Sequence, residues 1–127
     1  MRRIDWTSIE TGSTGRGIPD SNGCVDGIEF WIEFKQTKHW RAGLRPEQVG
    51  WLLRRTRAGG RTFVAIRRAS DELWLYRGDM AAHLVSRSLK DLRLQTLGLW
   101  HGGPGAWPWD EIEKCLKIPA LSMGYKT

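Results

Sequence analysis

Two carboxylates and one ammonium in this chain can be brought onto one face of a β-hairpin by spacing alone. Asp26-Gly27 is a strong signal for a tight turn, because both central positions of a type I′ turn need positive φ. With that pair at the turn, Val25 faces Ile28, and counting back along both strands places Asp20 opposite Glu33. A four-residue loop centred on the same pair keeps this register. Directly opposed residues share a face, with Cβ atoms about 4.5–5.5 Å apart. Lys35 lies two residues beyond Glu33 and joins them. Two carboxylates that close repel, which raises one pKa; a divalent cation removes the penalty. Mg2+ takes hard oxygen ligands and keeps several waters beside one or two carboxylates, and Mn2+ suits the same ligands. Such an ion polarises a phosphodiester and acidifies a water. Lys35 would orient that water or stabilise charge growing on the phosphate. The same trio is also what an exposed cross-strand salt bridge looks like, worth about 0–1 kcal/mol, and spacing alone leaves both readings open.

The elements that must position these groups can be read from the chain. Ile4 to Ile9 alternates weakly, as a first strand would. Gly12 to Gly17 (GSTGRG) reads as a loop without the spacing of an NTP-binding loop. A short strand from about Asp20 to Val25 leads through the turn into Ile28 to Gln36. There Ile28, Phe30, Ile32 and Phe34 form an apolar face, with Glu29, Trp31, Glu33 and Lys35 on the other. His39 to Arg45 is a basic loop, and Pro46 is placed to open a helix. Val49, Leu52, Leu53 and Thr56 recur at helical spacing, Arg54, Arg55 and Arg57 read as a solvated face, and Gly59-Gly60 ends the helix. Thr62 to Ile66 and Glu72 to Tyr76 read as strands. Asp79 is placed to cap a short helix to about Ser86, Ser88 to Pro108 resists reading, and Asp110 to Lys117 reads as a last helix before Pro119. This order predicts a small mixed α/β sandwich.

With 127 residues, the chain is expected to form a single domain, 1–127. A net charge of +6 and a pI near 9.8 favour polyanionic partners, since each cation that neutralises a phosphate releases a counterion. Cys24 and Cys115 form no C-x-x-C pair, which argues against a disulfide framework or a structural zinc site. No apolar run approaches 18 residues and no signal-peptide pattern opens the sequence, so a cytoplasmic protein without a membrane partner is expected, in the host cytoplasm if phage-encoded. The eight tryptophans have no repeat period and are expected mostly in the core.

Ile18-Pro19-Asp20 followed by Trp31-Ile32-Glu33-Phe34-Lys35 resembles the PD-(D/E)XK nuclease signature. The surrounding pattern is similar to the small phage and bacterial branch that includes VRR-NUC domains and Holliday-junction-resolvase-like nucleases. It shares the Gly-rich lead into Pro-Asp, the Glu-x-Lys strand, the Pro46-Glu47-Gln48 helix start and Ala58-Gly59-Gly60 before a strand. The resemblance covers roughly residues 10 to 68. It implies a restriction-endonuclease-like α/β core, a mixed β-sheet flanked by helices. It also implies that Asp20 and Glu33 bind the metal together with the backbone carbonyl of Phe34, while Lys35 assists the attacking water. Many relatives carry an acidic residue on a helix before the first strand; here that helix is expected to be absent or very short. Glu10 is then the nearest supplementary ligand, or else a solvated strand end.

Gln48 sits where relatives often have a glutamine near the site and could hold a water or the scissile phosphate. Ser13 and Arg16, on the loop before Asp20, could touch phosphate. Lys38, His39, Arg41 and Arg45 follow the Glu-x-Lys strand, as a phosphate-lined groove would require. Trp40 is expected to pack beneath the loop rather than stack on a base, His83 and His101 to be structural, and Trp107 and Trp109 to anchor the last helix. Together these features predict a Mg2+- or Mn2+-dependent endonuclease that hydrolyses DNA phosphodiester bonds in duplex or branched DNA as a homodimer. The alternative is a basic nucleic-acid-binding module with an inactive nuclease site.

Overall fold

The computed structural model describes residues 4–9 and 17–119. The strands are β1 (Asp5–Ser8), β2 (Ser21–Val25), β3 (Ile28–Thr37), β4 (Thr62–Arg68), β5 (Glu72–Arg77) and β6 (Gly98–Trp100). The helices are α1 (Pro46–Arg57), α2 (Ala81–Ser86) and α3 (Trp109–Leu116). The strands form one six-stranded sheet in sequence order. Every neighbouring pair is antiparallel except β3 with β4, which is parallel. A parallel pair needs a crossover, and α1 supplies it.

The hairpin register follows from its turn. Asp26 and Gly27 both have positive φ, at 53° and 77°. Val25 therefore pairs with Ile28, and the ladder runs back to Ser21 opposite Ile32. α1 begins with Pro46, and its end is a Schellman motif: Gly60 N–H donates to Arg55 O and Gly59 N–H to Thr56 O, with Gly59 at φ 97°.

The sheet is covered on both faces. One face carries Phe30, Ile32, Phe63, Ala65 and Leu75 and packs against Ile112 and Leu116 of α3. The other carries Val64, Ile66, Trp74 and Tyr76 beneath Leu52 of α1 and Leu84 of α2. Burying each such side chain contributes about 1.5–3 kcal/mol. Trp107 is buried in the first cluster, and Trp109 opens α3 with its indole N–H on Pro104 O.

On the Glu33 face of β3, Trp31 meets Trp51 of α1 at 5.2 Å between ring centroids. Two expectations are corrected. Arg55 is not merely solvated, because its guanidinium lies over both rings, 5.5 and 4.7 Å from their centroids. Asp79 does not cap α2. A 3-10 turn, Gly78–Met80, runs straight into the helix, and no side chain bonds its N-terminus. Gly78 sets that entry by close packing, since a Cβ there would collide with the Thr62 hydroxyl. The stretch that resisted reading contains β6, whose three residues are too few to show alternation. Among the described residues, no helix is long and apolar enough to cross a membrane.

Candidate active site

The candidate groups meet where β3 changes partner. Along Ile28–Ile32 it pairs with β2, and along Trp31–Thr37 with β4. β2 begins at Ser21, so beyond Ile32 the edge of β3 that faced β2 has no strand beside it among the described residues. Successive residues of a strand aim their peptide groups at alternate edges. Trp31 N–H bonds Arg61 O on the β4 side, so Phe34 directs both its N–H and its carbonyl to the vacated edge. Asp20 occupies that position: its Oδ2 accepts the Phe34 N–H at 3.0 Å. In return, the Asp20 N–H donates to Glu33 Oε1 at 3.2 Å. The two carboxylates are thus each steered by a peptide N–H from the facing segment.

Glu33 is 2% exposed, and Gln48, in the first turn of α1, is 5% exposed. Gln48 Nε2 donates to Glu33 Oε2 at 2.9 Å, while its Oε1 accepts the Arg45 N–H at 2.9 Å. The amide is clamped at both ends, which fixes its orientation. Lys35 Nζ stands 3.5 Å from Glu33 Oε2. Burial, and then the neighbouring Asp20 charge, push the Glu33 carboxyl above its ordinary pKa; Lys35 and the Asp20 N–H pull it back. The positive end of α1 adds a favourable environment for anions. Gly17 docks the lead-in to Asp20 on this helix. Its φ is 79°, and a Cβ there would run into the Glu47 carbonyl, so glycine is required on both counts. That contact is a residue of the site which sequence reasoning passed over; the Gly-rich run before Pro19 was its only signal.

The structure brings together Asp20, Glu33, Lys35, Gln48 and the Phe34 backbone. Lys38 and His39 line an open groove at the end of β3 with Gln36, Thr37 and Arg67. Arg41 turns away, donating to Val85 O beyond α2's middle at 3.4 Å, and Arg45 is exposed at the start of α1. Glu10, Ser13 and Arg16 lie outside the described residues. Trp40 packs against Trp74 with Arg68 and Lys90 over its ring, 3.4 and 4.6 Å from the centroid. His83 and His101 are both exposed.

Among the described residues, no cluster of three or more His, Cys, Asp or Glu is arranged to hold a metal ion. The donors present are hard oxygens from two carboxylates and one carbonyl, which fits an ion that keeps several waters and does not fit zinc. A cation there would also offset the charge repulsion borne by buried Glu33.

No family model matches the chain, and a search of curated proteins found no match. Among solved structures, the chain is similar to Hjc of Archaeoglobus fulgidus, a Holliday junction resolvase from an archaeal hyperthermophile. The TM-score is 0.52 at 16% identity, over 84% of this chain and 80% of that one. The two share a fold, the restriction-endonuclease-like α/β core with a mixed sheet flanked by helices.

Proposed function

We propose that this chain is a metal-dependent endonuclease that hydrolyses DNA phosphodiester bonds, acts preferentially on branched DNA, and falls in the Holliday-junction-resolvase-like or VRR-NUC branch of the PD-(D/E)XK nucleases. The observation that carries the reading is the buried Glu33, locked to Asp20 across the strand gap and held by Lys35 and Gln48. A domain that only bound DNA would gain nothing from opposed carboxylates beside phosphate. The shared fold with a protein described as a Holliday junction resolvase supports the branched-DNA preference.

Asp20, Glu33 and the Phe34 carbonyl would hold Mg2+ or Mn2+. When bound, the ion supplies charge stabilisation at the phosphate and lowers the pKa of a water. Lys35 orients the attacking water or donates to a phosphate oxygen as charge grows on it. Gln48 fixes the Glu33 carboxylate so that its geometry survives substrate entry. Lys38 and His39, on the open groove, hold the strand beyond the cut. Arg45, and Ser13, Arg16 and Glu10 on the approach to Asp20, complete the proposed contact and ligand set, while Arg41 is turned to the Val85 carbonyl and is left out of it. The working unit is a homodimer acting in the cytoplasm, since paired sites cut two strands and closed two-fold dimers are the commonest soluble assembly. The exposed edge strand β1 offers one surface for such pairing.

The test is incubation of the protein with plasmid and with four-way DNA, each with and without Mg2+ or Mn2+. Cutting only with metal, and faster on the junction, supports the reading. Binding without cutting in either metal would leave the inactive binding module. Light scattering that returned a mass near 14.6 kDa rather than twice that would remove the dimer.

A further inference from the structure

Beyond Ile32, β3 also loses cover on the face turned away from α1. Ile32 is 2% exposed, but Phe34 is 45% exposed, and Trp6 on β1 is 37% exposed with its ring 5.9 Å from that of Phe34. Trp107 and Trp109 line the same recess, of about 420 Å³. Gln36 and Arg67 also line it, as does Lys35, whose ammonium lies on the other face at Glu33, and no carboxylate does among the described residues. The Arg67 guanidinium is set in place by its Nε bond to Ser70 O and lies 5.5 Å from the Trp107 ring centroid.

We propose that this recess is a nucleobase subsite, which takes one unpaired base of the DNA strand whose phosphate lies at Asp20 and Glu33. The inference rests on the nuclease reading and adds a substrate determinant to it. The volume falls within the range of small-ligand sites, roughly 300–1,000 Å³. Aromatic walls suit any base, because every base has a π-face to stack. The Arg67 guanidinium on this face, with no acid among the described lining residues, suits the phosphates that flank it. Gln36 offers both a donor and an acceptor to a base edge. A base inside a duplex is stacked and paired and cannot enter a recess, so the occupant is extruded or already unpaired.

One residue joins the subsite to the candidate active site. The Phe34 N–H holds the Asp20 carboxylate, while the Phe34 side chain lines the recess. Gln36 and Arg67 continue from the recess into the groove that carries Lys38 and His39, so a single strand has a continuous path. Trp40 is a poorer platform, since two cations already lie over its ring.

The test measures binding by fluorescence anisotropy in calcium buffer, whose looser coordination favours binding over turnover. One duplex carries a single unpaired thymine; the other carries an abasic residue at the same place. The wild-type protein is expected to prefer the base by about tenfold. Trp6→Ala and Trp109→Ala should each bring the ratio toward one. If Trp109→Ala does not fold, Trp6→Ala on the exposed edge strand still reads the site. A 5-iodouracil at the unpaired position should photocrosslink to Trp6, Phe34 or Trp109. Equal affinity for the two duplexes, a ratio unaffected by Trp6→Ala, or a crosslink at Trp40 would overturn the subsite. No binding of either duplex would sink both readings. A base preference without cleavage in Mg2+ would count against the nuclease reading alone.

Discussion

The two ends of β3 have the same alternating sequence and different surroundings. At Ile28–Ile32 the strand is bonded to β2, its apolar face is sealed, and Phe30 is 0% exposed. At Glu33–Thr37 its one partner strand among the described residues is β4, and Phe34, four residues on and on the same face, is 45% exposed. The difference comes from where β2 begins rather than from β3 itself. A sheet interior satisfies every peptide group within the ladder; where a partner strand is missing, the polar backbone must find another partner. Here the Phe34 N–H finds the Asp20 carboxylate. The candidate chemistry sits at the gap because the gap supplies both unpaired backbone and room for substrate.

The largest expected effect separates two glutamates on this one strand. Glu33→Gln, Asp20→Asn and Lys35→Ala should each lower DNA cleavage in Mg2+ by about 100-fold or more, with circular dichroism unchanged. Glu29, exposed and opposite Cys24 in the β2-paired end, serves as the control. Glu29→Gln should change the rate by no more than about twofold. Full activity in any two of the first three variants would break the assignment of the site to the gap.

Stability should divide the strand in the opposite direction. Phe30 is enclosed by Trp6 and Phe63 in edge-on contacts at 5.5 and 6.0 Å. Phe30→Ala should cost about 3–5 kcal/mol in urea unfolding. Phe34→Ala removes a half-exposed ring and should cost about 1 kcal/mol or less. Comparable losses would mean that the face beyond Ile32 is covered in solution and is no open recess.

Much of this arrangement is legible in the sequence because local rules agree there. The Asp26-Gly27 turn sets the register, the register opposes Asp20 to Glu33, and Pro46 with Gly59-Gly60 brackets α1. The rest depends on contacts between distant segments. Nothing local says that Trp31 lies under Trp51, that Gly17 meets the start of α1, or that Gln48 is clamped between Arg45 and Glu33. The apolar period correctly grouped Phe34 with Phe30 and Ile32. It could not show that cover ends between them, because that depends on where β2 starts and how far α3 reaches.

The charge on buried Glu33 gives a smaller, pH-dependent effect. Its folded pKa is raised above the ordinary value of 4.5 by burial and by Asp20. The folded chain therefore keeps that proton to a higher pH than the unfolded chain. As pH rises through about 4.5, stability falls until the folded group also ionises, and the loss then persists. Glu33→Gln removes the charge and keeps an oxygen for Gln48, but turns an NH2 toward the Asp20 N–H, which loses its acceptor. In the absence of metal, the wild-type Tm should fall relative to the variant's as pH rises through about 4.5, on top of a pH-independent loss in the variant. Mg2+ should raise the wild-type Tm and leave the variant's nearly unmoved. A Tm difference that did not change with pH, together with an equal response to Mg2+, would show that Glu33 bears no such cost and holds no ion.

The smallest effect concerns the path of the DNA away from the gap. Lys38 lies on the open groove at the β4-paired end of β3, whereas Arg57 lies at the far end of α1 from Gln48. Both are exposed single charges, so each contributes equally to net charge, and only position distinguishes them. A cation that meets a phosphate releases a counterion, so losing one such contact lowers the log–log salt slope of binding by about 0.9 for duplex DNA. Lys38→Ala should show that drop, and Arg57→Ala should leave the slope where it was. Arg41→Ala should fall nearer to Arg57, because its guanidinium is turned to the Val85 carbonyl. Titrations at several salt concentrations separate the slope from any change in affinity at one salt. If Arg57 moved the slope and Lys38 did not, the strand would run along α1 rather than out through the gap, and the two ends of β3 would have lost their functional distinction.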